Sequence, residues 1–124
     1  MVGLNKCLDT YALIEIAKGN IKFKQYTKLN FVTTDLNLAE FYNVTLREEG
    51  LENANLWFKK LEPYSVPVDK LILIEAVIFR RKNIKKNISF FDAVGYIFSI
   101  KNGYAFVTGD KEFENLQNVE FIKK

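Results

Sequence analysis

A chain of 124 residues that is 48% hydrophobic and 15% aromatic has the apolar content of one packed domain and too much for a disordered segment. It has no histidine, which removes Ser-His-Asp and Cys-His catalysis and zinc sites built on imidazole, and leaves any chemistry to carboxylates, hydroxyls, lysines or a hard metal ion. The formal net charge of +3 permits a polyanionic partner without requiring one.

Residues 6–8 read as a first short strand, starting near Val2. Asn5, Lys6 and Asp9 interrupt the N-terminus too early for a signal peptide. Cys7 is the single cysteine, so no internal disulfide framework is expected; a small buried thiol fits a reducing, cytoplasmic setting. Asp9 and Thr10 end the strand and can cap a helix over residues 11–18, which stops at Gly19 and Asn20. Residues 21–29 hold a short helix, and residues 31–33 form a second strand. Thr34 or Asp35 caps the next helix, which runs through Arg47 and Glu48 to Gly50. Residues 51–61 are a further helix carrying Trp57 and stopped ahead of Pro63. Residues 64–68 are a short extended piece whose Pro67 suits a strand end or a sheet edge.

Asp69 caps a helix running to about Lys82. Its middle, residues 71–79, is apolar almost all round, which implies burial on more than one side or a subunit interface. This longest apolar run contains Glu75 and is far short of the roughly 20 residues a membrane span needs. A basic turn follows, then Ser89 caps a helix in which Ala93, Tyr96, Ile97 and Ile100 share one face. Lys101, Asn102 and Gly103 close that helix, and residues 104–107 return as a strand. After Asp110 come a short helix, residues 111–115, and a last strand, residues 119–122. Strands alternating with helices imply an α/β fold: a three-layer α/β/α domain with a mainly parallel central sheet, spanning residues 1–124.

In such folds the active site lies at the carboxyl ends of the strands, beside the amino ends of helices. Asp9 follows the first strand, Asp110 follows the strand at residues 104–107, and Asp92 sits in the first turn of its helix. Glu40 lies about 7 Å along its helix from Asp35, and its side chain leans back toward the same edge. Four acids can thus converge. Converged carboxylates repel and raise one another's pKa, a conflict that a divalent cation resolves. An all-oxygen donor set suits Mg²⁺ or Mn²⁺ better than Zn²⁺, and such a site holds phosphate oxygens and activates water. The plainer account is that Asp9 and Asp110 are helix caps, Asp92 completes a capping box opened by Ser89, and Glu40 is an ordinary surface residue.

The set of motifs resembles a known family. Asp9-Thr10-Tyr11-Ala12-Leu13-Ile14, Leu38-Ala39-Glu40, Ser89-Phe90-Phe91-Asp92-Ala93 and Thr108-Gly109-Asp110-Lys111-Glu112-Phe113 are similar, in order and spacing, to the four acidic motifs of PIN domains. The likeness covers essentially the whole chain and is greatest to small prokaryotic single-domain members, including VapC-type toxins. It implies a Mg²⁺- or Mn²⁺-dependent endoribonuclease with Asp9, Glu40, Asp92 and Asp110 as metal-binding acids. Thr108 and Thr10 would orient water or an acid. It also implies a homodimer and, for toxins, a small antitoxin protein whose segment wraps the enzyme and blocks the site.

Arg80, Arg81, Lys82, Lys85 and Lys86 precede the Asp92 helix and are candidates for RNA phosphate contacts, or simply a solvated turn. Trp57 and Phe58 read as core or dimer contacts rather than base-stacking platforms. Two other classes compete with the ribonuclease: a non-catalytic module using the same fold to bind RNA or protein, and a phospho-acceptor receiver domain. The receiver pattern needs an acidic pair after the first strand, where this chain offers only Asp9.

Overall fold

A computed structural model describes residues 5–123, so the expected start of the first strand near Val2 lies outside the described residues. In chain order the elements are β1 (Lys6–Leu8), α1 (Thr10–Ala17), α2 (Ile21–Lys24), β2 (Phe31–Thr34), α3 (Asp35–Glu49), α4 (Leu51–Leu61), β3 (Ser65–Val66), α5 (Lys70–Lys82), α6 (Phe90–Asn102), β4 (Ala105–Thr108) and β5 (Val119–Phe121). The strands form one five-stranded sheet, all parallel, in the order β3-β2-β1-β4-β5. The chain builds outward from β1 on one side, then crosses over to build β4 and β5 on the other. β1 and β4 therefore flank the point where the strand order reverses, the place where open parallel sheets leave a crevice at their carboxyl ends.

Alternation along the strands divides the core in two. Cys7 and Phe106 are register partners and point to one face; Leu8 and Val107 are partners and point to the other. On the Leu8 side pack Ala12, Leu13 and Ile16 of α1, Leu38 and Phe41 of α3 and Leu61 of α4, with Phe23 and Tyr26 closing one end. On the Cys7 side pack Ile72 and Ala76 of α5 and Ala93, Val94, Tyr96 and Phe98 of α6. Helices thus cover both sides of the sheet, the three layers that the alternating pattern implies. Cys7 is fully buried and burial pushes its thiol up to about 12, so it is an inert core residue.

Several boundaries differ from the sequence expectation for local reasons. The extended piece at residues 64–68 keeps only two ladder residues, because a 3₁₀ turn at Glu62–Tyr64 precedes it and Pro67 has no N–H to extend it. Residues 21–29 divide into α2 and a 3₁₀ turn at Gln25–Lys28. The short helix after Asp110 is a single 3₁₀ turn, Lys111–Phe113. Helix α6 buries more than one face. Ala93 and Tyr96 are buried as expected, whereas Ile97 and Ile100 are half-buried and Val94, Phe98 and Ser99 are also inside. The cause is that α6 touches three strands, α3 and α5 at once.

Helix α5 does the reverse. Only Ile72 and Ala76 are buried, and Leu71, Ile74, Val77 and Ile78 stand in the open at 47–71% exposure. No helix among the described residues is long and apolar enough to cross a membrane.

Candidate active site

Each of the four acids is placed by its own local rule. Asp9 ends β1, where its N–H bonds Val107 O, and caps α1 by accepting from the Ala12 N–H at 2.8 Å through Oδ1. Asp110 ends β4; its N–H donates to Thr108 Oγ1 at 3.0 Å and its Oδ1 accepts from the Glu112 N–H at 3.0 Å. Asp92 lies in the first turn of α6, its N–H held by the Ser89 hydroxyl at 3.1 Å. Glu40 sits in the second turn of α3 and accepts a 2.6 Å hydrogen bond from Thr10 Oγ1. The capping geometry of the plainer account is therefore real for Asp9 and Asp110, and Ser89 does cap α6 as the first half of the box expected there.

Capping does not account for the electrostatics. Asp9 is fully buried, and its Oδ2 is the one buried side-chain nitrogen or oxygen among the described residues without a hydrogen-bond partner. Burial pushes Asp9 up to about 7, with the charges of Asp110 and Glu40 adding to the rise; the Thr108 hydroxyl and the Ala12 N–H pull the other way. Asp92 is raised well above the usual carboxylate range, first by burial and then by Asp9, Glu40 and Asp110, against the Ser89 hydroxyl. Four acids from four separate segments thus feel one another at the carboxyl edge of β1 and β4.

Among the described residues, no group of three His, Cys, Asp or Glu side chains stands ready to hold a metal ion. The donor chemistry nonetheless fits a hard divalent cation. The cluster offers carboxylates alone, with no nitrogen or sulfur ligand, and an unpartnered buried oxygen and two raised acids are what such a cation relieves.

One polar residue at the site was not evident from the sequence. Asn37 is fully buried. Its Oδ1 accepts from Thr34 Oγ1 at 2.8 Å, and its Nδ2 reaches Thr10 Oγ1 at 3.1 Å, Asp92 Oδ1 at 3.4 Å and Phe91 O at 3.5 Å. The available clue was its spacing: it lies three residues before Glu40 and so shares that face of α3. Two glycines make the close packing possible. A Cβ at Gly95 would stand 2.6 Å from Asn37 Oδ1 and 2.9 Å from Phe106 Cε1, and one at Gly109 would stand 2.2 Å from Tyr11 Cε1.

The cations come to the same end of the fold. Phe79 packs on Tyr96 and Glu75 Oε1 bonds Lys101 Nζ at 3.0 Å, so α5 and α6 run antiparallel and the end of α5 meets the start of α6. Arg80, Arg81 and Lys82 belong to the last turn of α5 rather than to a loop, while Lys85 and Lys86 lie in the connection. Arg80 Nε is tied to Ile88 O at 2.9 Å, and Lys86 Nζ reaches Glu112 O at 3.1 Å, beside the turn that Asp110 caps. All five side chains are exposed. Trp57 is half-buried, edge-on to Phe41 with Lys60 over its ring, so it is a core-margin residue. Beside α3 a groove of about 790 Å³ is lined by Asp35, Leu38, Ala39, Tyr42, Phe58 and Glu62, among others.

Comparison with known proteins agrees with this fold. The family model for the PIN domain matches residues 6–119. No curated protein matches by sequence. Among solved structures, VapC20 of Mycobacterium tuberculosis, described as a sarcin–ricin loop cleaving toxin, superposes with a TM-score of 0.76 at 17% identity, over 96% of this chain and 98% of that one. VapBC2 from Rickettsia felis, bound to a DNA fragment from its promoter, gives 0.75 at 14% identity over 97% and 100%. DNA-bound VapBC from Salmonella typhimurium gives 0.75 at 15% identity over 96% and 97%. At such identities the superpositions speak to the fold.

Proposed function

The chain belongs to the PIN-domain family, and from that premise we propose that it is a metal-dependent endoribonuclease that hydrolyses RNA phosphodiester bonds as the toxin of a toxin–antitoxin pair. The observation that carries this reading is the electrostatic coupling of Asp9, Glu40, Asp92 and Asp110 at the switch point of the sheet. Isolated caps would not gather one buried and three half-buried carboxylates at a cost to one another. In this reading the four acids hold Mg²⁺ or Mn²⁺. Once bound, the ion supplies a clamp on phosphate oxygens and a water of lowered pKa.

The remaining roles fall to this chain's own residues. Thr10 holds Glu40 by its 2.6 Å hydrogen bond, and Thr108 fixes the turn that carries Asp110. Arg81, Lys82, Lys85 and Lys86 present exposed cations at the end of α5, beside the start of α6, where an RNA backbone would approach the acids. The open apolar face of α5 serves a homodimer. The groove on α3, one residue from Glu40, is where an antitoxin segment reaches the site; the solved VapBC assemblies with the same fold support a partner of that kind. A chain with a single thiol and these partners works in the cytoplasm.

The test is Asp92→Asn. Asparagine keeps the size of the side chain and does not disturb the Ser89 bond to the residue 92 N–H, so the fold and its circular dichroism should persist. Loss of one negative charge at the metal should lower Mn²⁺-dependent RNA cleavage by roughly two orders of magnitude or more. A folded variant that cleaves at the wild-type rate removes Asp92 from the metal site. Wild-type protein that neither binds Mn²⁺ nor cleaves RNA favours the non-catalytic binding module instead.

A further inference from the structure

We infer that Asn37 is a positioning residue of this site: its buried side-chain amide fixes the direction of Asp92 on α6 and, by way of Thr10, of Glu40 on α3. The catalytic consequence rests on the metal-nuclease reading above, whereas the geometry stands on hydrogen bonds alone.

The partners decide which way the amide faces. Thr34 Oγ1 already accepts the Asn37 backbone N–H at 3.0 Å, so its own proton is free to go to Asn37 Oδ1 at 2.8 Å. On the other side lie Thr10 Oγ1, a carboxylate oxygen of Asp92 and the carbonyl of Phe91. A flipped amide would set its carbonyl against two acceptors, so Nδ2 must face them. Thr10 then receives a proton from Asn37 and gives its own to Glu40 Oε1 at 2.6 Å, in preference to Asn37 O at 3.5 Å. The chain of donors runs one way, Thr34 to Asn37 to Thr10 to Glu40, with a branch from Asn37 to Asp92. Each link orders the next.

A neutral amide is the group this position calls for. A lysine or arginine would satisfy the acids and displace a cation. An aspartate would add a fifth repelling charge. Asparagine offers two N–H groups to the acids' side and leaves their charge for a metal ion. It is also wedged in place: α3 and α6 close on it only because residue 95 has no Cβ, which would otherwise press on Oδ1 at 2.6 Å. The amide is therefore held by packing as well as by its bonds, the condition under which groups behind a ligand set its direction.

Wild type, Asn37→Ala and the isosteric Asn37→Asp test this. Mn²⁺ affinity by calorimetry, kcat and KM for RNA cleavage at saturating Mn²⁺, and urea unfolding are measured on each. For Asn37→Ala the expectation is a kcat lower by about tenfold or more, KM within about twofold, and Mn²⁺ affinity reduced by about tenfold. Asn37→Asp should lose kcat to the same degree while its Mn²⁺ affinity does not fall, because it trades a donor for a charge. If both folded variants lose stability alone, with kcat and Mn²⁺ affinity unchanged, the positioning role is overturned. Should Asn37→Ala fail to fold, Asn37→Asp, which fills the same space, carries the comparison. A wild-type protein without Mn²⁺ binding or cleavage is a failure of the nuclease reading instead. The geometry is then read from side-chain amide exchange by NMR in the metal-free protein. Protected Asn37 Nδ2 protons support it, and exchange as fast as that of the exposed Asn115 overturns it.

Discussion

Replacing Asp9 by asparagine should stabilise the metal-free protein at neutral pH, although as helix caps the two residues are about equal. Asp9 is fully buried and is raised from 3.8 to about 7, mainly by burial. The folded state therefore holds this proton more tightly than the unfolded chain does. Its contribution to stability is fully present below the unfolded value near 3.8 and is lost as pH rises through about 7. A rise of that size is worth on the order of 4 kcal/mol, and proton sharing with Asp92 reduces what a single substitution recovers. Asparagine does not titrate, keeps an oxygen for the Ala12 N–H, and puts a donor where Oδ2 now has no partner. Urea unfolding in EDTA from pH 4 to 8 is the assay. Asp9→Asn should match wild type near pH 4 and exceed it by roughly 1 to 4 kcal/mol at pH 8. If the variant instead matches wild type or falls below it at every pH, with parallel curves, the carboxylate is not strained by its surroundings and the reasoning fails.

Three further outcomes are expected. Mn²⁺ should raise the melting temperature of the wild type by relieving repulsion present only in the folded state, and Asp9→Asn combined with Asp92→Asn should abolish that rise; a full response in the double variant places the ion elsewhere. The protein should sediment as a dimer at micromolar concentration, and Ile74→Glu, on the open face of α5, should make it monomeric; a wild-type monomer refutes the dimer. Gly109→Ala should cost about 1 to 3 kcal/mol in urea unfolding by driving a methyl group into the Tyr11 ring, and an unchanged midpoint would mean that the ring moves aside freely.

Asp9 and Asp110 were legible in the sequence because their cues are local: each lies within two residues of a strand end and opens a helical turn, and strand ends set the edge. Glu40 was legible because its reach is fixed by helix rise. Asn37 was not, because its partners come from α1, β2 and α6, so that only the assembled fold shows an amide in place of an ordinary buried polar group. Gly95 carried the same difficulty. In sequence it is a weak point inside a helix, and its reason for being there is a side chain on another helix. The apolar run of α5 implied burial on more than one side or a subunit interface, and of its residues only Ile72 and Ala76 are buried within the chain. Whether its apolar surface is covered by the sheet or left open depends on where the neighbouring layer ends, which no local pattern records.

The two accounts of these acids, caps or site, are not alternatives, and Asp69 shows why. It caps α5 with the same bond that Asp9 makes to α1, accepting from the Ile72 N–H at 3.1 Å, yet it is exposed. Capping therefore asks only for an oxygen at the helix start, which solvent does not impair. Asp9 meets that need with Oδ1 and has a second oxygen, buried and unpartnered, that capping does not use. The helix N-terminus favours the negative charge, but burial and two neighbouring carboxylates outweigh it and hold Asp9 near 7. A fold selected for stability alone would place this cap as it places Asp69. Capping sets where the carboxylates stand, at the ends of β1 and β4; what is left over after capping, an oxygen without a hydrogen-bond partner beside other acids, is what a hard cation would take up in the proposed function.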